Sequence, residues 1–392
     1  MAVFRVWWLL MAPALALAGP TAFVGTAPNG SLVLQPADGQ QLLMAGHDFR
    51  ALVARVERLT QQLANQRCTA AADTTSIAGL AGSGKWLGGV LAGSGKVYGI
   101  PWNSESVLIV DPATHTADVT SITGLGTFRK WVGGVLAGNG KIYAIPYDSV
   151  SVLIIDPATN TADNTTITGL DGTVKWANGV LAGNGKIYGI PLHAESVLII
   201  DPATNTVDTT SITGLNGGGK WYGGVLARTG KIYGIPFNSA SVLIIDPAAN
   251  TADTTTITGF SGRGQWDSGV LAGNGMIYSI PYNSTSVLII NPATNTADTT
   301  TIAGLSGDFK WAGGGVLAGD GRIYGMPYDA TSVLIIDPVT NTADVTTITG
   351  LTGKGKWYGG VLAGNGKVYG IPWGSASTSV LIIHCAFVPR GP

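Results

Sequence analysis

Charged residues are scarce in this sequence. Asp, Glu, Lys and Arg make up 11% of its 392 residues, and the formal net charge is −1. This balance gives no general electrostatic attraction to nucleic acid or to an anionic membrane surface, so neither is predicted as a partner. Histidine is rarer still, with four residues at unrelated positions: His47, His115, His193 and His384.

Motifs for catalysis or cofactor binding are also missing. The histidines show no metal-ligand spacing, and the chain has neither a nucleophile elbow nor a phosphate-binding loop. An Asp-Pro pair recurs along the chain, which we interpret as a strand end followed by a turn; calcium binding is the alternative. The sequence therefore predicts no cofactor, no metal site and no enzymatic activity.

Long apolar runs are absent beyond the N-terminus, so no membrane-spanning helix is predicted in the mature chain. The N-terminus has Arg5, an apolar run over residues 6–18 and the small-residue pattern Ala16-Leu17-Ala18, which predicts a signal peptide over residues 1–18. An uncleaved anchor is the alternative, but this run is short for a bilayer. We therefore expect a secreted, extracellular protein.

Glycine and tryptophan, in contrast, recur throughout. Glycine accounts for 57 residues, and seven tryptophans follow one another at a spacing of 45 residues, with 46 at the last step. They are Trp86, Trp131, Trp176, Trp221, Trp266, Trp311 and Trp357. A fixed period of this length is typical of a solenoid, a propeller or a repeat array.

Each repeat divides at its turn residues into four short strands. In the second copy we predict strands over residues 131–137, 141–146, 151–156 and 161–167. The third strand carries the unbroken apolar run Val152-Leu153-Ile154-Ile155, which indicates burial on both faces. Such a sheet repeated seven times predicts an all-β fold, a seven-bladed β-propeller of four-stranded blades. A β-solenoid is the alternative, although its coils are usually shorter.

The two ends of the repeat region complement each other. The last copy stops after its third strand, whereas residues 72–77 match a fourth strand ahead of the first tryptophan. We predict that this N-terminal strand completes the seventh blade and closes the ring over residues 68–385. Cys68 and Cys385 fall in the same turn of that composite blade, which predicts a disulfide; free thiols and a metal pair are the alternatives.

The repeat resembles a known group. Residues 286–302 read SVLIINPATNTADTTTI, and residues 179–191 read GVLAGNGKIYGIP. This pattern is similar to the YVTN repeats of surface proteins and their NHL relatives, which share the T-N-T turn and the G-K-x-Y strand start. The resemblance covers about residues 69–384 and implies a propeller in an extracellular or surface protein with a binding role. The tryptophan in each first strand departs from that pattern, and Kelch repeats are a weaker match.

Residues 19–67 precede the repeats, and residues 386–392 form a C-terminal tail. Residues 31–35 and 41–44 flank Pro36-Ala37-Asp38-Gly39, a pattern that predicts a short hairpin. From Asp48 to about Gln66 we predict a helix. Its apolar residues recur at spacings of three and four: Phe49, Leu52, Val56, Leu59 and Leu63. This helix either docks on its own domain or forms a stalk over residues 49–63 that makes a homo-oligomer.

The seven copies differ from one another at one face of the predicted propeller, which we call the variable face. It carries the loops between second and third strands and the connections between blades, where binding residues usually lie. Each copy places there, after Ile-Pro or Met-Pro, a residue that is aromatic except at Leu192 and is mostly followed by Asn or Asp. The candidate ligand-binding residues are Trp102, Asn103, Tyr147, Asp148, Phe237, Asn238, Tyr282, Asn283, Tyr328, Asp329 and Trp373. Aromatic platforms beside short polar side chains suit a sugar ring; alternatively, each aromatic caps its own blade and each Asn or Asp forms a turn.

A second series of candidate ligand-binding residues precedes the tryptophans, with Gln265 as its exception. Its members are Lys85, Lys130, Lys175, Lys220, Lys310 and Lys356. Six ammonium groups that converge on the channel mouth would attract an anionic ligand such as an acidic glycan. The alternative is that each lysine lays its stem over a tryptophan and keeps its charge in water.

Together these features predict a secreted, non-enzymatic binding protein that recognises an extracellular ligand through the variable face. The predicted partner is an extracellular glycan or protein. A structural or protein-interaction scaffold is the first alternative, and an enzyme acting at the central channel is the second.

Overall fold

The computed structural model describes the backbone of residues 23–26, 32–35, 43–44, 47–48 and 68–387. These residues contain no helix, and therefore no helix long enough to cross a membrane. The predicted signal peptide over residues 1–18 and the predicted helix after Asp48 lie outside the described residues.

Two short antiparallel strand pairs precede the repeats. Phe23–Thr26 pairs with Leu32–Gln35, and Leu43–Met44 pairs with His47–Asp48. The predicted pairing of residues 31–35 with 41–44 is therefore wrong. A turn signal after a strand does not decide which neighbour the strand joins, and residues 23–26 offer an equally good β-forming partner.

Residues 68–387 form seven four-stranded antiparallel sheets, the blades of a propeller. The first three blades are Trp86–Leu91, Val97–Pro101, Leu108–Asp111, Thr116–Asp118; then Trp131–Leu136, Ile142–Pro146, Leu153–Asp156, Thr161–Asp163; then Trp176–Leu181, Ile187–Pro191, Leu198–Asp201, Thr206–Asp208. The next three are Trp221–Leu226, Ile232–Pro236, Leu243–Asp246, Thr251–Asp253; then Trp266–Leu271, Ile277–Pro281, Leu288–Asn291, Thr296–Asp298; then Trp311–Leu317, Ile323–Pro327, Leu334–Asp337, Thr342–Asp344. In the seventh sheet Trp357–Leu362, Val368–Pro372 and Leu381–Phe387 are followed in space by Cys68–Asp73.

The core lies between neighbouring blades. Ile145 of the second blade, for example, packs in one cluster with Trp176 and Leu198 of the third. Because every blade has a neighbour on each side, its third strand is buried on both faces, as the unbroken apolar runs predict. Each of the seven tryptophans that begin an innermost strand is buried and donates its indole N–H to a carbonyl of its own blade, as Trp131 does to Ser151 at 2.7 Å.

The outermost strands are shorter than predicted. The strand expected over residues 161–167 is Thr161–Asp163 alone. The Asp163 carboxylate accepts hydrogen bonds from the backbone N–H groups of Thr165, at 2.7 Å, and Thr166, at 3.1 Å. An aspartate side chain that takes up nearby N–H groups competes with strand pairing, which is why the strand ends at Asp163.

On the face opposite the variable face, hydrogen bonds join neighbouring blades. The Tyr143 hydroxyl donates to Asn205 Oδ1 at 2.7 Å, from the second blade to the third. The T-N-T turn supplies this asparagine in a left-handed conformation, with φ of 54° at Asn205. Asparagine tolerates that conformation, so one residue serves both the turn and the bond between blades.

The innermost strands surround the propeller axis. Each has a register irregularity directly after its tryptophan, for example between Trp131 and Gly134. At this bulge the backbones of adjacent blades approach closely: in the sixth blade, a Cβ atom on Gly313 would collide with the backbone nitrogen of Gly359 in the next blade. A bulge re-aims the side chain beside it, and here it turns the residue after each tryptophan toward the axis.

Candidate functional site

Seven side chains turned toward the axis form what we call the axial layer. They are Leu87, Val132, Ala177, Tyr222, Asp267, Ala312 and Tyr358. Five of them, from blades 1, 2, 3, 6 and 7, belong to one buried apolar cluster. The ring centroids of Tyr222 and Tyr358, which come from the fourth and seventh blades, are 6.2 Å apart. The fourth and seventh blades are not neighbours, so their side chains can come this close only at the propeller axis.

The predicted aromatic series packs on the same cluster and forms what we call the aromatic rim. Its members are Trp102, Tyr147, Leu192, Phe237, Tyr282, Tyr328 and Trp373. Ring centroids are 4.7 Å apart for Trp102 and Tyr147, and 5.3 Å apart for Tyr328 and Trp373. Leu192 is buried, whereas the six aromatic residues are half-buried. The rim therefore links neighbouring blades and also presents part of each ring to solvent.

The Asn and Asp residues of the rim hold the next blade. Asp148 Oδ1 accepts a hydrogen bond from the N–H of Val174 at 2.7 Å, and Asn283 Oδ1 accepts one from Phe309 at 2.8 Å. Asn103, Asn238 and Asp329 accept equivalent bonds from Arg129, Gly264 and Gly355 at 2.7 Å. One oxygen of each side chain is therefore engaged between blades, a role that the sequence comparison had not anticipated.

The six lysines lie between blades with their ammonium groups buried. The Lys220 ammonium donates to the carbonyls of Leu192, Ala194 and Gly217 at 2.6 to 3.1 Å. Three carbonyl acceptors also surround Lys85, Lys175 and Lys310. Burial lowers the pKa of all six lysines to about 8. Ligand binding by the six lysines remains a prediction. At Lys85, Lys175, Lys220 and Lys310, three carbonyls already accept hydrogen bonds from the three ammonium protons.

Three large side chains occupy a strained backbone position on the variable face. The residue before each lysine, or before Gln265, has positive φ in all seven copies, and it is glycine in four of them. In the other three it is Arg129, Val174 or Phe309, with φ of 44°, 55° and 52°. This conformation is unfavourable for a large residue and most unfavourable for a β-branched one. Residues in strained backbone conformations of this kind cluster at functional sites.

Arg129 extends over the aromatic rim. Its guanidinium carbon lies 5.9 Å from the ring centroid of Trp102 and 5.2 Å from that of Tyr147, and its Nε is 3.1 Å from Asp148 Oδ2. Phe309 packs edge-on against Tyr282 with centroids 5.2 Å apart. The strained positions thus place an arginine and a phenylalanine against the rim on two sides.

Asp267 is the one charged member of the axial layer. Its side chain is 1% exposed, and its Oδ2 accepts a hydrogen bond from the Gly313 N–H at 2.6 Å. Burial raises the pKa of this carboxyl to about 6, against the opposing effects of the Tyr358 hydroxyl and the Gly313 N–H. Oδ1 has no partner of good hydrogen-bond geometry. Comparison of the residues that follow the seven tryptophans would have singled out Asp267 from the sequence.

The fifth blade departs from the repeat at further buried positions. Gln265 stands where six copies have lysine, and Ser279 stands where the others have glycine or alanine. Gln265 Nε2 and Ser279 Oγ, like Asp267 Oδ1, are buried without a hydrogen-bond partner. Among the described residues, no group of three or more His, Cys, Asp and Glu side chains gathers in a way that could hold a metal ion. Three of the buried polar groups without a partner belong to this one blade.

No protein-family model matches the chain, and no curated protein matches it in sequence. Solved structures do. A virginiamycin B lyase from Staphylococcus aureus aligns over 82% of this chain and 100% of its own at 9% identity, with a TM-score of 0.60. Hydrazine synthase from Kuenenia stuttgartiensis aligns over 78% and 97% at 14% identity, with a TM-score of 0.59. The extracellular domain of a putative one component system from B. thetaiotaomicron aligns over 79% and 42% at 14% identity, with a TM-score of 0.55.

These similarities show the propeller fold and nothing finer, so membership of the YVTN or NHL group is not shown. They also correct the prediction that the chain is not an enzyme. A lyase and a hydrazine synthase share this fold, and the missing sequence motifs therefore do not exclude catalysis. One fold can host unrelated functions, so the fold alone decides neither for nor against catalysis.

Proposed function

We propose that this chain is a secreted protein that binds an extracellular ligand on its variable face, with the aromatic rim as the contact surface. The observation that carries the proposal is the rim itself: six aromatic side chains gather around the axis and keep part of each ring exposed. The same face carries the loops in which the seven copies differ. A rigid frame with variable loops is the usual arrangement for binding.

A glycan is the ligand class that we propose for this surface. The C–H face of a sugar stacks on an aromatic ring, while its hydroxyls need hydrogen-bond partners close by. Tyr147, Tyr282 and Tyr328 supply both properties, because each combines a ring with a hydroxyl. Asp329 uses one oxygen between blades and has a second oxygen on the same face, whereas the second oxygen of Asp148 is already held by Arg129 Nε at 3.1 Å.

A glycan array with the full secreted chain tests this function. Replacing Tyr282 or Trp373 with Ala should weaken binding at least tenfold, equivalent to about 1.4 kcal/mol. Val339→Ala is the matched control, because Val339 is 91% exposed in a turn on the opposite face. Absence of any glycan binding, or equal binding by all three variants and the unchanged protein, would remove the sugar from the proposal.

Closure of the ring by the N-terminal strand belongs to the same proposal, because a rim around an axis needs a closed ring. Cys68–Asp73 follows Leu381–Phe387 in the seventh sheet, which supports closure. The Leu80 N–H donates to the Thr378 carbonyl at 2.8 Å, and the Val380 N–H donates to the Ile77 carbonyl at 3.0 Å. These bonds join residues about 300 positions apart in the sequence, and they support the same arrangement.

A further inference from the structure

The Asp267 carboxyl lies among four tyrosines from four different blades. Burial raises the pKa of Tyr222, Tyr282, Tyr328 and Tyr358, and the Asp267 charge raises each of them further. Tyr222 and Tyr358 belong to the axial layer, whereas Tyr282 and Tyr328 belong to the aromatic rim above it. The carboxyl is thus placed where the axis meets the proposed binding surface.

This carboxyl lacks the partners that a buried charge requires. Its Oδ2 accepts the Gly313 N–H and the Tyr358 hydroxyl acts on the carboxyl as well, but its Oδ1 has no partner of good hydrogen-bond geometry. Within residues 70–384, whose side chains the structure describes, no lysine, arginine or histidine forms an ion pair with it. Buried charges are normally paired or hydrogen-bonded. A positively charged group with hydrogen-bond donors would therefore both neutralise the Asp267 charge and supply the bond that Oδ1 lacks.

The chemistry of the surroundings selects an organic cation over a metal ion. A metal ion needs several oxygen, nitrogen or sulfur ligands, and in the described part of the chain Asp267 belongs to no group of three or more His, Cys, Asp or Glu side chains that could hold one. Tyrosine rings attract an ammonium group through the negative face of the ring, and a carboxylate between such rings adds charge and a hydrogen-bond acceptor. A protonated amine satisfies both at once.

We infer that Asp267, with Tyr222 and Tyr358, is the recognition point for a protonated amine on the ligand that the aromatic rim binds. The inference rests on the proposed function and narrows its ligand to a glycan that bears a free amino group. Because Asp267 is 1% exposed, the amine reaches the carboxylate by displacing a tyrosine ring. The ligand then supplies the donor that Oδ1 lacks.

A pair of oligosaccharides that differ only in this group tests the inference. Calorimetric titration with a β-1,4-linked glucosamine tetrasaccharide and with its fully N-acetylated counterpart compares a charged amine with a neutral amide on the same sugar frame. The unchanged protein should bind the amine form at least about 30-fold more tightly, equivalent to 2 kcal/mol, since loss of one partner of a buried charge pair costs that much or more. Asp267→Asn should abolish this preference.

Asp308→Asn is the control, because Asp308 is an exposed carboxylate on the same face and its removal should leave the preference unchanged. Equal binding of the two sugars, or a preference that persists in Asp267→Asn, overturns the amine site and leaves the proposed glycan binding intact. Failure of the unchanged protein to bind either sugar overturns the amine site as well, and the glycan array then decides separately whether the aromatic rim binds any other glycan.

Discussion

The Lys175 ammonium nitrogen lies 2.9 Å from the carbonyl oxygen of Ser149, which belongs to the preceding blade. The same ammonium group donates to the carbonyls of Tyr147 at 3.0 Å and Gly172 at 2.8 Å. One lysine therefore ties a loop of one blade to the connection that leads into the next. Because six of the seven copies repeat this lysine, the series forms a ring of bonds between blades beneath the aromatic rim.

Replacing Lys220 with Gln should lower the free energy of unfolding by about 2 kcal/mol, because three buried carbonyls lose a charged donor.

The fifth blade allows the reverse substitution, from glutamine to lysine, at Gln265. Its Nε2 has no partner, so Gln265→Lys should raise the free energy of unfolding by about 1 kcal/mol through bonds to the carbonyls of the fourth blade. Urea denaturation followed by tryptophan fluorescence measures both.

Lys186→Gln is the matched control for this pair. The Lys186 ammonium forms only an exposed ion pair with Asp201, at 3.8 Å, and such pairs contribute less than about 1 kcal/mol. Equal losses for Lys220→Gln and Lys186→Gln would contradict a special role for the buried lysines.

Asp267 should make stability depend on pH in one particular window. Its folded pKa of about 6 is raised from an ordinary value of 3.8, so its contribution to stability is fully present below about pH 4 and is lost as the pH rises through 6. The change amounts to about 3 kcal/mol. Asp267→Asn should therefore be the more stable protein at pH 7.5, and the difference between the two proteins should shrink toward pH 4.

The comparison between the two proteins matters because other groups titrate nearby in pH. Burial lowers the pKa of His193, so its contribution has the opposite sign and is common to both proteins. Asp118 and Asp163, whose pKa values hydrogen bonds lower to about 2, titrate below the window. Parallel stability curves for the two proteins between pH 4 and 7.5 would show that Asp267 does not titrate there.

Val174 should be unusually tolerant of glycine. It is a β-branched residue with φ of 55°, and glycine relieves that strain while it gives up the packing of Val174 on the axial cluster. Val174→Gly should therefore change the free energy of unfolding by no more than about 1 kcal/mol. Val180→Gly, at a buried position with ordinary φ, should cost about 3 kcal/mol. Chemical denaturation of both variants decides the matter, and similar losses would mean that no strain is stored at Val174.

The repeat predicts the blades because its signals are local. The run from Val152 to Ile155 and the turn residues around Asn139 define strands and turns without reference to distant residues. The roles of Asn283 and Lys175 could not be predicted in this way. Both are polar residues beside an aromatic one, and only the packing of adjacent blades shows that each bonds to the neighbouring blade.

The buried site around Asp267 could not be predicted from the sequence for a different reason. Asp267 is the only charged residue at its position in the seven repeats, but the sequence does not show that this position faces the axis unless the inner strand is known to bulge. The bulge turns that position toward the axis, and the close approach of seven strands buries it. The site therefore depends on how the innermost strands of several blades pack together, which no single repeat contains.

A disulfide between Cys68 and Cys385 remains a prediction, and it concerns how the ends of the chain meet. The strands that carry the two residues are neighbours in the seventh sheet. A bond between residues more than 300 positions apart would remove conformational freedom from the unfolded chain worth about 5 kcal/mol at most. Dithiothreitol should therefore lower the melting temperature by several degrees. The double variant Cys68→Ser, Cys385→Ser should melt at the reduced temperature with or without the reductant, because it has no bond to break. An identical melting temperature for oxidised and reduced protein would mean that the ring is held by strand pairing and packing alone.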